Sequence, residues 1–156
     1  MFKVVLLSDC HSVGEANLHL QFTPKYRKPV FEDEVLRSAC ELAFKGVAKR
    51  LHVGLAGLGF GPDHCHLFIT RWKNYSIAEL ARRFKGTVSR VLRKAYALRL
   101  NKWLWGKALW TGAYFYRTVG AVTSEAMYKY VTEAQQKHWI KQEPTANPQT
   151  TLLQFR

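Results

Sequence analysis

Two stripes of apolar residues at helical spacing, set among short strand-like segments, constrain the fold more than any other feature of this sequence. The first stripe follows a short acidic run and predicts a helix over residues 32–51. The second follows a capping-box pattern at Ser76 and Glu79 and predicts a helix from there to about residue 99. Two helices of this length among strands indicate a mixed α+β protein.

Strand-like segments precede, separate and follow these helices. Residues 18–22 alternate apolar and polar side chains, residues 53–60 and the segment opened by His64 predict a hairpin, and residues 113–119 predict a further strand. The order strand, helix, strand, strand, helix, strand is the split βαβ pattern of a ferredoxin-like fold. We therefore expect an antiparallel sheet with both helices on one face, the other face open, and one additional C-terminal helix.

The remaining segments add no second domain. We expect a single domain over residues 1–143, because no internal repeat or linker interrupts it. The last helix is predicted to begin at Thr123 or Ser124 and to end near residue 140. Residues 144–156 contain Pro144 and Pro148 among polar residues and predict a flexible tail.

The charge of the chain indicates what kind of partner it binds, and its cysteines indicate the compartment in which it works. Lys and Arg number 24 against 11 Asp and Glu, so the formal net charge is +13. This excess predicts a polyanionic partner, and it favours nucleic acid over a membrane surface. The sequence has no apolar stretch long enough to span a membrane. The three cysteines, Cys10, Cys40 and Cys65, show no paired spacing and predict buried free thiols of a reducing cytoplasm.

The segment from Gly61 to Thr70 carries a pair of histidines at the start of a predicted strand. Because successive side chains of a strand point to opposite faces, His64 and His66 project together while Cys65 projects the other way. Two imidazoles are too few for a closed zinc site but suit an open metal site that leaves room for substrate. From the residues alone, ordinary polar side chains on an exposed sheet face remain the alternative.

The predicted last helix carries several polar side chains. Tyr130 shares a helix face with Glu133 and Ala134, whereas Gln135 is turned well away from that face. Spacing alone favours simple packing for Tyr130, because it falls on an apolar stripe of this helix.

Four segments, in this order along residues 17–139, resemble the signature segments of the HUH single-tyrosine transposases of the insertion-sequence 200/605 type. The segments are His19-Leu20-Gln21-Phe22-Thr23-Pro24-Lys25-Tyr26-Arg27, Pro62-Asp63-His64-Cys65-His66-Leu67, Tyr114-Phe115-Tyr116-Arg117-Thr118-Val119-Gly120 and Lys129-Tyr130-Val131. Four matches in order are far more specific than an isolated pair of histidines.

The resemblance implies a homodimeric DNA transposase that acts on single-stranded element ends folded as hairpins. His64 and His66 would bind Mg²⁺ or Mn²⁺, and Tyr130 would be the nucleophile that forms a 5′-phosphotyrosine. The family usually has a glutamine four residues after the tyrosine as third metal ligand, where this chain has Ala134. Glu133 is the replacement that we expect, and Gln135 is the alternative.

Further residues are expected to support this site and to bind DNA. Asp63, beside the histidines, is a candidate to orient one of them, or it makes the turn. Trp103, Trp105 and Trp110 could stack on bases, although packing over the core is the expectation for each ring. The predicted phosphate contacts are the basic residues Lys25, Arg27, Lys28, Arg82, Arg83, Lys85, Arg90 and Arg117.

Two other functions stay open from the sequence. A related HUH nuclease would act on chromosomal repeats or replication origins, and it would differ in the hairpins that it cleaves. A non-catalytic module that binds single-stranded nucleic acid on the same fold would bind DNA without forming a covalent adduct.

Overall fold

The computed structural model describes residues 7–9, 11–120, 125, 126, 129, 130 and 133. The predicted tail at 144–156 and most of the predicted last helix lie outside the described residues. Within the described part, the elements in chain order are β1 Leu7–Asp9, β2 Ser12–Gly14, β3 Asn17–Phe22, α1 Glu34–Leu51, β4 Gly54–Gly61, β5 His64–Thr70, α2 Ile77–Ala95, α3 Ala97–Leu100 and β6 Phe115–Val119.

The main sheet has four strands in the order β4-β5-β3-β6, and every neighbouring pair is antiparallel. Helix α1 connects β3 to β4, and α2 lies between β5 and β6 along the chain. This order of strands and helices confirms the predicted ferredoxin-like α+β fold, including the hairpin opened by His64. Among the described strands, β1 and β2 form a short two-stranded ribbon that is separate from this sheet.

Helix α1 begins at Glu34, two residues later than predicted. The side chain of Asp33 accepts hydrogen bonds from the backbone N–H groups of Val35 and Leu36, at 3.0 and 3.2 Å, and so caps the helix. The acidic residue before it, Glu32, belongs instead to a short 3₁₀ turn. Helix α1 ends at Leu51, because the next residue, His52, has a left-handed backbone with φ 54°.

Helix α2 begins as predicted and ends earlier. The Ser76 hydroxyl accepts a hydrogen bond from the N–H of Glu79 at 3.1 Å, which confirms the predicted cap. The helix stops at Ala95, because Tyr96 leaves the helical conformation at φ −133°, and the chain then forms the separate short helix α3.

The core lies between the sheet and the two long helices. Leu18, Leu20 and Phe22 of β3 point towards Phe44 of α1 and Phe84 of α2, and all five side chains are fully buried. Their complete burial explains why the alternating pattern of β3 was readable from the sequence.

The thiols of Cys40 and Cys65 are also buried in this core and unpaired, as predicted. Burial raises the pKa of both thiols, so they stay protonated and unreactive. Cys10 lies outside the described residues. No described helix is long and apolar enough to cross a membrane.

Candidate active site

The histidine pair lies on the sheet face that points away from α1 and α2. His64 and His66 are 8% and 3% exposed, and their ring centroids are 5.0 Å apart with nearly perpendicular planes. Cys65, between them, points into the core, so the alternation predicted from the sequence is confirmed. The expectation of an open face is wrong at this position, because both rings are almost completely covered.

A third histidine, which the sequence analysis had not selected, completes a cluster on this face. His19 of β3 is 3% exposed, and its Nε2 lies 3.0 Å from Nδ1 of His66. The two rings are nearly parallel, with centroids 5.1 Å apart. The position of His19 opposite Phe68, diagonal to His66, follows from the register between β3 and β5.

The side chain of His19 is neutral at physiological pH. Burial, together with the positive charge of Arg117 on the adjacent strand, lowers its pKa to about 4. Its second ring nitrogen, Nδ1, is buried and has no hydrogen-bond partner among the described residues. His19 therefore acts in this cluster as a hydrogen-bonding group without charge.

Asp63 lies where it can orient His64. Nδ1 of His64 donates to one carboxylate oxygen of Asp63 at 2.8 Å, and Arg27 donates to the other at 3.0 Å. Burial by itself would raise the pKa of Asp63, but the hydrogen bond from His64 and the charge of Arg27 lower it overall. A carboxylate that accepts from Nδ1 places the lone pair of His64 on Nε2.

Gly61 leaves the space that the His64 ring occupies. Gly61 is the partner of His64 across the β4–β5 ladder, and a Cβ atom at this glycine would collide with three atoms of the imidazole. The absence of a side chain at Gly61 therefore makes room for His64 on this face.

Tyr130 lies over the histidine cluster. Its ring centroid is 5.9 Å from that of His66 and 6.4 Å from that of His19, with both pairs edge to face. Tyr130 is 52% exposed, so it is reachable from solvent while it contacts two buried histidines. The described residues around it, Glu125, Ala126, Lys129 and Glu133, have helical backbone.

The predicted third metal ligand stays a prediction. Glu133 forms an ion pair with Lys129 at 3.7 Å, and its side chain is 53% exposed. Ala134 and Gln135 lie outside the described residues. Among the residues that are described, no group of three or more His, Cys, Asp or Glu side chains is arranged to hold a metal ion.

Some of the basic residues predicted to bind DNA form hydrogen bonds or ion pairs with other residues of this chain. Lys85 donates to the carbonyl oxygens of Thr111 and Ala113 at 2.7 and 3.2 Å, and partial burial lowers its pKa. Arg83 pairs with Glu79 at 2.8 Å. Their contacts to DNA remain predictions, as do those of the exposed residues Arg82, Arg90 and Arg117 and of the turn containing Lys25, Arg27 and Lys28.

The three tryptophans of the loop between α3 and β6 differ in exposure. Trp110 is 7% exposed, and its ring N–H donates to the carbonyl of Lys85 at 3.1 Å. Trp103 is half-buried and packs against the core. The expectation of packing is correct for these two and wrong for Trp105, which is 78% exposed.

Comparison with known proteins places these features in one family. A family model described as "Transposase IS200 like" matches residues 12–134. The ISDra2 transposase TnpA of Deinococcus radiodurans is 27% identical over 125 residues, which is 80% of this chain and 88% of that protein. The range matched by the family model includes His19, His64, His66, Asp63 and Tyr130.

Two solved structures are similar in fold. A crystal structure assigned to a transposase of Deinococcus radiodurans R1 has a TM-score of 0.65 at 25% identity and covers 83% of this chain and 97% of its own. A REP-associated tyrosine transposase bound to a REP hairpin has a TM-score of 0.60 at 12% identity. The match covers 91% of this chain and 76% of that protein. At 12% identity, the second likeness concerns the fold alone.

Proposed function

This chain belongs to the IS200-like transposase family, and from that membership we propose that it cleaves and rejoins single-stranded DNA through Tyr130. The substrate that we infer is a single strand bearing a hairpin. Support for a hairpin comes from the similarly folded REP-associated tyrosine transposase, which was solved bound to one. A family of DNA strand transferases also accounts for the net charge of +13.

The observation that carries this proposal is the position of Tyr130 over the histidines. Its half-exposed ring lies 5.9 Å from the ring of His66, so a phosphate held at the histidines would be close to the phenol oxygen. Simple packing, the alternative from spacing alone, does not account for an exposed ring aligned with two buried imidazoles.

The histidines fit a divalent cation, Mg²⁺ or Mn²⁺. Asp63 holds Nδ1 of His64, and His19 contacts Nδ1 of His66, so both rings can direct an Nε2 lone pair to one ion. For His66 this requires the proton on Nδ1, with His19 as the acceptor, and we propose that arrangement. Bound there, the cation would polarise the scissile phosphate and stabilise its developing charge. Glu133 or Gln135 would complete the site.

The strand transfer needs no external energy source. The oxygen of Tyr130 bonds to phosphorus while the bond from phosphorus to the 3′ oxygen of the preceding nucleotide breaks. The phenol loses its proton, and the departing oxygen becomes a 3′-hydroxyl. Rejoining reverses these changes, because a 3′-hydroxyl attacks the 5′-phosphotyrosine and releases Tyr130. The family resemblance adds a homodimer in which the tyrosine helix can complete the partner's site.

The test is formation of a covalent protein–DNA adduct. The probe is a hairpin-bearing single strand taken from the DNA beside the gene, incubated with Mg²⁺ or Mn²⁺ and analysed on a denaturing gel. We expect an adduct with the wild-type chain and with Tyr116→Phe, a similarly exposed tyrosine on β6. Tyr130→Phe should bind the probe and give no adduct.

Other outcomes would overturn parts of the proposal. An adduct that persists in Tyr130→Phe and is lost in Tyr128→Phe would show that Tyr128 is the nucleophile and Tyr130 is not. Binding without any adduct, from folded protein on several neighbouring hairpins, would favour the non-catalytic nucleic-acid-binding module. Cleavage restricted to dispersed chromosomal repeats would favour the related HUH nuclease.

A further inference from the structure

Two exposed aromatic rings are stacked against each other on the surface. Tyr26 is 64% exposed and Trp105 is 78% exposed, and their ring centroids are 6.1 Å apart with planes only 17° from parallel. Large aromatic side chains stabilise proteins chiefly by burial, so two adjacent rings left in water contribute little to folding. An arrangement of this kind indicates contact with a partner.

The fold holds these two rings together through the backbone beneath them. The N–H of Lys25 donates to the carbonyl of Leu109 at 2.8 Å, and the N–H of Thr111 donates to the carbonyl of Thr23 at 2.9 Å. Pro24 pairs with Trp110 in an isolated β-bridge between these two hydrogen bonds. The turn that carries Tyr26 and the loop that carries Trp105 are therefore fixed to each other before any partner binds.

The turn at Tyr26 has an unusual backbone. Tyr26 and Arg27 have φ values of 59° and 50°, the left-handed region that residues with a Cβ seldom adopt. Such strain persists where the surrounding structure enforces it, and it occurs often at binding sites. Here it accompanies an aromatic side chain turned into solvent rather than into the core.

Basic residues surround the pair of rings. Nζ of Lys25 lies 5.3 Å from the Tyr26 centroid, and Lys102 and Lys107 are exposed on either side of Trp105 in the sequence. Exposed aromatic rings flanked by cations match the base and the phosphates of a nucleotide strand. An apolar protein partner would not use these cations.

This surface is also connected to the candidate active site. Arg27, the residue after Tyr26, donates to Asp63 at 3.0 Å, and Asp63 accepts from His64 at 2.8 Å. A strand lying on the rings would therefore be close to the turn that supports the histidines.

We propose that Tyr26 and Trp105 form a stacking site for an unpaired base of the DNA strand, an inference that rests on the proposed function. The bases of a duplex are stacked on one another, so their faces are hidden from the rings. A base in a single-stranded segment offers such a face, whatever its identity. The site would thus select the unpaired segment beside a hairpin.

The test compares DNA probes that differ only in their bases. The Kd is measured by fluorescence anisotropy for an oligothymidylate, for an abasic strand of equal length, and for a duplex, with Tyr130→Phe as the background to prevent cleavage. We expect the thymidylate to bind about tenfold more tightly than the abasic strand. Trp105→Leu should remove this preference, Trp105→Phe should keep most of it, and Tyr116→Leu should leave it intact.

The outcomes separate this inference from the proposed function. Equal affinity for the thymidylate and the abasic strand in the Tyr130→Phe protein would overturn the stacking site, even if the wild type forms an adduct. Loss of the preference in Tyr116→Leu but not in Trp105→Leu would overturn it as well. A preference that depends on Trp105, without any adduct in the wild type, would support the site and contradict the strand transfer.

Discussion

The two faces of the four-stranded sheet both carry buried side chains, but these are apolar on one face and polar on the other. On one face, Leu20 and Leu67 are fully buried against α1 and α2. On the other, His19 and His66 are buried to 3% exposure, yet they carry ring nitrogens. Apolar side chains need only to fill space, whereas each buried polar atom also needs a hydrogen-bond partner. Burial alone therefore does not distinguish a structural face from a functional one.

The partners on the histidine face come from separate parts of the chain. His64 forms a hydrogen bond with Asp63, which precedes it, and His66 forms one with His19, which lies 47 residues away on β3. The ring of Tyr130, from a third part of the chain, lies edge to face against both His19 and His66. Mutations on the two faces should consequently affect different measurements, catalysis on one face and stability on the other.

The largest expected effect is the loss of cleavage in His66→Ala. Removal of this imidazole eliminates a proposed metal ligand, so we expect no detectable adduct even at temperatures where the variant is fully folded. The matched control is Cys65→Ala, one residue away and on the core face. It should lower the melting temperature and retain the adduct at temperatures where the protein is folded. The reverse pattern would contradict the division between the faces.

The next effect in size is a loss of stability on the core face. Leu20→Ala removes a fully buried side chain and should lower the free energy of unfolding by about 2–5 kcal/mol. Leu42→Ala, at a residue of α1 that is 72% exposed, should change it by less than about 0.5 kcal/mol. Urea denaturation measures both. If Leu20→Ala instead abolishes the adduct in fully folded protein, the core face is not purely structural.

A smaller effect is expected at His19, which acts on the metal only through His66. His19→Ala should weaken Mn²⁺ binding roughly 10–100-fold, because the partner of His66 Nδ1 is lost. His19→Gln provides a side-chain acceptor and should restore part of the affinity. Calorimetric titration with Mn²⁺ measures the affinity, and ¹⁵N NMR of the imidazoles reports the His66 tautomer. An unchanged affinity and tautomer in folded His19→Ala would remove the positioning role.

The smallest effect is expected at Gly61. Gly61→Ala places a methyl group against the His64 ring, and we expect a cost of about 1 kcal/mol because that ring can shift. The adduct should form more slowly as His64 moves. Gly46→Ala, in the middle of α1 with open space around it, should instead stabilise the protein by about 0.5–1 kcal/mol. Equal behaviour of both variants would show that the His64 ring needs no glycine beside it.

Local patterns in the sequence were sufficient for most of the fold. The alternation of β3, the caps at Ser76 and the hairpin at His64 depend on neighbouring residues, and the structure confirms them. The early end of α2 at Tyr96 was not predicted, because no proline or glycine marks it. Asp63 was recognised as a candidate partner because it adjoins His64 in the chain.

The parts of the site that were missed depend on contacts between distant segments. His19 is one of several polar residues on β3, and only the pairing of β3 with β5 brings its ring to His66. Similarly, Trp103, Trp105 and Trp110 lie in one tryptophan-rich loop, and only its packing shows which ring remains in solvent. Sequence patterns carry no information on such pairings until the register is known.

By itself, the sequence determined the order of the elements and the common face of His64 and His66, because periodicity and turn chemistry act over a few residues. Tertiary structure alone decided that this face is covered rather than open, that His19 joins it, and that Tyr26 and Trp105 form one exposed surface. These features require strands and loops far apart in the chain to meet. Their geometry follows from packing and strand register, which no local pattern specifies.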